Sequence, residues 1–334
     1  MNAKRIVTAF LSLSLVWCLI LAPNGALAQG KKIIEMESGA FGGYAYQMAY
    51  AFGALINKYY ERVAIYNVET PGTSGGIVKV FQDPKNRITN GSSICLYEML
   101  HGMPPFKEAY PEIRIIICYG HMSNPFVTFN PNIRSPEDLV GKRLAIGPAP
   151  IALGHNTQNM LEYGHGLKGK VRFINMRWPQ MKDALLDGTV DAMLLGVGKR
   201  PSPPWSPVAV YQEIQASGRK VYFFGPSKEA VQKTGERDKI PYTSGILPKD
   251  ALGPGQPAQD TPTWEEANTV VCHKDFDPEI TYQMAKISYE HCKDMEKLTA
   301  AAKGVWPALI PDIPFANELI HEGALRFYKE KGLR

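Results

Sequence analysis

The chain has 334 residues, 37 Lys and Arg against 32 Asp and Glu, a formal net charge of +5, and 45% hydrophobic residues. That is enough chain for two ordinary domains or one large one. The basic excess forms no tract, which excludes the clustered cationic face that nucleic-acid binding requires.

Residues 1–28 read as a secretory signal. Lys4 and Arg5 precede an apolar run from Ile6 to Ala22, followed by "PNG" and the small-x-small end Ala26-Leu27-Ala28, with cleavage expected before Gln29. The run is interrupted by Thr8, Ser12 and Ser14 and is short for a membrane span. Cys18 lacks the small residues that a lipid anchor would place before it. Loss of Lys4 and Arg5 takes the formal charge from +5 to +3, and no second long apolar run follows, so an exported, periplasmic product is expected. Cys95, Cys118, Cys272 and Cys292 remain, without C-x-x-C or Cys/His spacing, so no metal site or cofactor is expected. They read as buried thiols, Cys272–Cys292 being a better disulfide option than Cys95–Cys118.

In chain order, the strand "KKIIEMES" leads through the turn "SGAFGG" into a helix from Tyr44 to Tyr60, with Met48, Phe52, Leu55 and Tyr59 on one face. The strand "VAIYNVE" and the turn "ETPGTSGGI" open a second helix, and strands are expected near "SICLY", at "RIIICYG" and at "FVTFN". After "RSPEDLVGKRLAIG", a third turn, "GPAPIALG", leads to a helix around Thr157 to Tyr163. "VRFINM", "MKDALLDG" and "VDAMLLG" read as strand, helix and strand, and a fourth turn, "GVGKRPSPPWSP", precedes the helix "VAVYQEIQAS" and the strand "KVYFFG". Ile240 to Trp264 reads as irregular, "NTVVC" as a strand, Pro278 to about Ala302 as helix, and a last helix ends at Gly332. The alternation is that of an α/β protein. All four glycine turns follow strands and precede helices, which places them at the carboxyl ends of the strands, where such sheets bind ligands. Helix N-termini there suit an anion.

Gly72, Ser74 and Gly76 have the G-x-S-x-G spacing of a hydrolase nucleophile elbow between strand and helix. A triad would need an acid and then a histidine downstream. His155, His165, His273, His291 and His321 are available, the last two within predicted helices. The same residues serve equally as a ligand-holding turn, in which Gly75 and Gly76 allow close approach and Thr73 and Ser74 offer hydroxyl donors.

"IIEMESGAFGGYAYQMAYAFGALINKY", "VETPGTSGGIVKV", "SPEDLVGKRLAIG", "ALLDGTVDAMLLG" and the ending "HEGALRFYKEKGL" together resemble the TAXI family of TRAP-transporter solute-binding proteins, in the family's order and across the whole mature chain. The resemblance implies a two-lobed periplasmic binding protein fold of type II with a ligand cleft between α/β lobes. Lobe 1 would comprise residues 29–122 and 225–334, and lobe 2 residues 123–224. It further implies a monomeric receptor, without catalysis, that delivers a small organic acid to a TRAP-type membrane permease. By carry-over Gly39, Ala40, Phe41, Gly42 and Tyr44 of the first turn, and Thr73, Ser74 and Gly75 of the second, belong to the ligand site. The third turn departs from the family pattern: Ile151, Ala152, Leu153 and Gly154 stand where polar residues are usual, leaving His155 and Asn156 as replacements. Phe41, Tyr44, Tyr97, Trp178 and Trp205 are candidate pocket walls, which favours a weakly polar or aromatic carboxylate, with Arg177 and Arg200 as its partners. A periplasmic serine hydrolase using Ser74, or a partner of a periplasmic sensor, are the alternatives.

Overall fold

The computed structural model describes residues 30–39, 41–70, 72–147, 152–200, 205–207 and 209–334. The expected signal peptide and Ala40 lie outside them. In chain order the elements are β1 (Lys32–Glu37), α1 (Tyr44–Tyr59), β2 (Val63–Val68), α2 (Thr73–Gln82), β3 (Arg87–Ser92), α3 (Ser93–Leu100), β4 (Ile113–Ser123), β5 (Phe126–Thr128) and β6 (Arg143–Ile146). There follow α4 (Ala152–Asn159), β7 (Arg172–Asn175), α5 (Trp178–Leu186), β8 (Ala192–Leu194), β9 (Val197–Gly198), β10 (Ser206–Pro207), α6 (Ala209–Ala216) and β11 (Tyr222–Phe224). The chain ends with α7 (Lys228–Asp238), β12 (Thr243–Leu247), β13 (Thr261–His273), α8 (Pro278–His291) and α9 (Glu322–Glu330). Among the described residues no helix is long and apolar enough to cross a membrane.

Two sheets organise these elements. The first runs β10-β9-β4-β13-β3-β1-β2, with β12 beside β13, and the second runs β11-β5-β8-β6-β7. β1 is parallel to β2 and β3, and β6 is parallel to β7 and β8, whereas β13 runs antiparallel to both β3 and β4. The chain crosses between sheets at Asn124–Pro125, where the Asn124 N–H donates to the Trp264 carbonyl (3.0 Å) and to Thr263 Oγ1 (2.9 Å). It crosses back after β8, where β9 joins β4. Each sheet has its own core. A third, smaller cluster of Ile94, Met160, Val231, Ile240 and Trp264 joins α3 to the second sheet's helices.

The parallel β-α-β units follow from the pattern. Met48, Phe52 and Leu55 of α1 are buried at helical spacing, while alternate residues of β1 point into the core. Several expectations fail at their edges. "SICLY" is helical, because the Ser92 hydroxyl accepts from the Cys95 N–H (3.3 Å) and caps α3. The stretch from Ile240 holds β12, which pairs with the start of β13. The helix after Pro278 stops at His291 and continues as 3₁₀ turns, and the last helix begins only at Glu322, with His321 as its cap rather than inside it. All four cysteines are buried, and neither Cys118 nor the Cys272 and Cys292 pair is bridged, so neither disulfide option is formed.

Candidate functional site

A cavity of about 110 Å³ lies between the two sheets. Its first-sheet wall is built by the turns that follow β1 and β2. Gly39, Gly43 and Tyr44 come from the first turn and Gly72 from the second. Buried Thr70 joins these turns: its hydroxyl accepts from the Gly39 N–H (2.9 Å) and donates to the Gly72 carbonyl (3.1 Å), and its own N–H donates to the Gly39 carbonyl (3.2 Å). From β3, the Asn90 amide donates to the Ala45 carbonyl (3.0 Å) and fixes the start of α1. α2 sits close on the sheet because Gly76 has no side chain. A Cβ there would overlap the Thr89 hydroxyl, which donates to the Glu37 carbonyl (2.7 Å).

The N-cap residues of α1 and α2, Gly43 and Gly72, line the cavity and, as glycines, supply no side-chain cap, so the positive ends of two helices stand at its wall. The opposite wall is Trp178 at the start of α5 and Leu153 near the start of α4. The floor is formed by the crossing strands. Met122, Asn124 and Gly196 lie at the crossovers, and Glu266 and Asn268 share one face of β13. Asn124 (1% exposed) and Asn268 (8%) each have an amide nitrogen without a partner. Burial raises Glu266 to about 7, opposed by its hydrogen bond with Ser92. Among the described residues no Lys, Arg or His lines this cavity.

At the mouth, Phe41 is 64% exposed, and its N–H donates to Glu69 Oε1 (3.0 Å). The same oxygen lies 3.6 Å from Arg177 Nη1 on the far side, and a Cβ at Gly42, where φ is +80°, would meet Pro179 at 3.5 Å. The two walls therefore touch across the opening.

Of the residues singled out from the sequence, Gly39, Tyr44 and Trp178 meet at the cavity, and Phe41, Gly42 and Arg177 meet at its mouth. Ala40 and the Thr73 side chain lie outside the described residues. Gly75 is exposed and Ser74 Oγ is buried without a partner. No base is hydrogen-bonded to that serine, and the histidines considered for a triad are engaged elsewhere: His155 with Asn159, His165 with Glu137, His273 with Asp275, His291 against Tyr59 and His321 with Thr281. Tyr97 stacks on His101 and packs in the third cluster. His155 is exposed, and Asn156 is buried, accepting from the Tyr242 hydroxyl (2.7 Å). Trp205 is core. Arg200 lines a different, larger cavity of about 630 Å³ with Lys199 and His121, because the fourth turn runs into β9 and β10 beside β4. Thr70, Asn124, Glu266 and Asn268 were missed. The visible signal was "EEAN": two polar residues two apart, on one face of a strand otherwise buried.

Two α/β sheets with a cavity between them give the chain the fold of the two-lobed periplasmic solute-binding proteins. Residues 36–332 match the NMT1-like family, and the chain belongs to it. Similar solved structures include one described as a periplasmic transporter (12% identity, 91% of this chain and 94% of that one, TM-score 0.55). Another is MatC from Rhodopseudomonas palustris with bound malate (11% identity, 90% and 96%, TM-score 0.52). At these identities the likeness is one of fold. No curated protein matches the chain.

Proposed function

We propose that the protein is an exported receptor of the TAXI type that captures a small organic acid by closure of two lobes and delivers it to a TRAP-type membrane permease. In this reading lobe 1 comprises residues 29–122 and 225–334 and lobe 2 residues 123–224, except that β9 and β10, within the latter range, pair beside β4 in the first sheet. The observation that carries the reading is the convergence of two helix N-termini without side-chain caps and two unpartnered buried amides, from Asn124 and Asn268, on one cavity between the sheets. Such donors are costly to bury unless a ligand accepts from them. A neighbour of the same fold solved with malate is in keeping with this chemistry. At about 110 Å³ the cavity is well below the roughly 300 Å³ at which drug-sized sites begin, which favours a compact aliphatic acid over an aromatic one. Lobes that close on a ligand bind it by its differential affinity for the closed form.

Native mass spectrometry of the purified chain, followed by thermal unfolding with a panel of small organic acids, tests this. An acid at about a hundred times its Kd stabilises the fold by about 2.7 kcal/mol, an upward shift of several degrees. A panel without any shift, and no co-purifying acid, would refute the reading.

A further inference from the structure

The cavity is chemically one-sided in a way that narrows its ligand. Its anion-binding groups are all neutral: the N-termini of α1 and α2, and the free amides of Asn124 and Asn268. The single charged side chain among the described lining residues is Glu266. The stretches of the mature chain outside the described residues, at positions 29, 40, 71, 148–151, 201–204 and 208, contain no charged side chain, so they add no cationic side chain to this balance. Nearby cations are engaged. Lys199 donates to both oxygens of Glu265 (3.0 and 2.8 Å), and His121 pairs with Asp312 (2.9 Å), both at the larger cavity on the far side of Glu266. Arg177 faces Glu69 at the mouth.

One carboxylate is well served by this arrangement, whereas a second would stand against Glu266 with no cationic side chain among the described lining residues, so that Glu266 must take up a proton, at a cost that grows as pH rises above about 7. We propose that Glu266 makes this cleft select a small monocarboxylate that also carries a proton donor, a hydroxyl or an ammonium, close to its carboxylate. The carboxylate sits at the helix N-termini and the amides, and the donor reaches the Glu266 carboxyl. Glu266 lines this cavity with Asn268 and also borders the larger one, and Ser92, another lining residue of the small cavity, hydrogen-bonds to it. Burial that raises Glu266 to about 7 keeps the empty cleft from carrying a full uncompensated charge, and an incoming ammonium draws the group back to its ionised form. The inference rests on the solute-binding reading and specifies its ligand class.

The test is calorimetric titration of the full chain, freed of bound solute by unfolding and refolding, with propionate, lactate, alanine and succinate. Wild type should bind lactate or alanine on the order of tenfold to hundredfold more tightly than propionate and succinate. If the donor is an ammonium, Glu266→Gln loses alanine selectively. If it is a hydroxyl, Glu266→Gln keeps lactate within a few-fold, because an amide still accepts. In either case the variant should gain affinity for succinate. Succinate binding as tightly as the donor-bearing acids in wild type overturns the proposal while leaving the solute-binding reading intact, above all if Arg200→Ala abolishes it. A folded Glu266→Gln that gains no affinity for succinate relative to the donor-bearing acids also overturns it. If no acid binds to wild type, both readings fall. The wild-type ranking decides the matter even if the variant does not fold.

Discussion

Glu98 on α3 is fully buried (0% exposed), and neither carboxyl oxygen has a hydrogen-bond partner. Burial raises it to about 8, the neighbouring Asn156 amide acts in the opposite direction, and Glu266 and Asp238 add repulsion. Because the folded-state value lies above the unfolded one, the group favours the fold at low pH. That contribution is lost as pH rises through about 8, with a slope of up to about 1.4 kcal/mol per pH unit. Glu98→Gln should therefore flatten the melting temperature between pH 5.5 and 8.5, where wild type should fall, and identical profiles would contradict the assignment. Asn268 gives a second prediction at this scale. Asn268→Leu removes an unpaired buried donor for an apolar side chain of similar size. The ligand-free fold should keep or raise its melting temperature, while acid binding weakens by about tenfold or more. A variant that melts well below wild type would mean that the amide serves the fold and not a ligand. Glu98 was not legible as functional from the sequence, and Asn268 only through the polar pair in "EEAN". Glu98 lies in a stretch whose short apolar run reads as a strand, and Asn268 in a strand whose register with β3 and β4 appears only in three dimensions.

Among the elements, α2 shows why glycine follows the cap. Gly76→Ala would force a methyl into Thr89 and against Glu37, where the nearest Glu37 atom lies at 3.2 Å, and break the close packing of α2 on β1 and β3. Overpacking of this kind costs about 1–3 kcal/mol, read as a lower denaturant midpoint with unchanged slope. Here the sequence was informative, since a glycine pair after a strand could mark either a ligand turn or a tight helix docking. Gly76 docks the helix, Gly72 faces the cavity and Gly75 points outward. The long periodic helix α1 and the β-α-β order of the first two units were equally readable, because burial follows the 3.6 and 2 periods there. What could not be read was local: a five-residue apolar run fits helix or strand alike until its cap is seen, and β12 depends on pairing with residues some twenty positions away.

The whole molecule is arranged as two walls in contact around a small space. Glu69 and Arg177 meet across the mouth, but Arg177 is 61% exposed and the pair is 3.6 Å apart, so it is a weak latch. Arg177→Ala should lower ligand affinity only several-fold, within the roughly 1 kcal/mol of an exposed ion pair, and the difference should vanish in high salt. The α/β class was legible from strand and helix order, and the two-lobed arrangement only through the family resemblance. The cleft was half legible, since the turns that line it announce themselves by glycine while its floor is made of strand residues. The most direct test of acid capture is titration of the refolded, ligand-free chain with the same panel of small acids beside Asn268→Leu. A receptor built as described shows saturable one-site binding of at least one acid in wild type and marked weakening in the variant. Equal binding by both, or none by wild type, would contradict it.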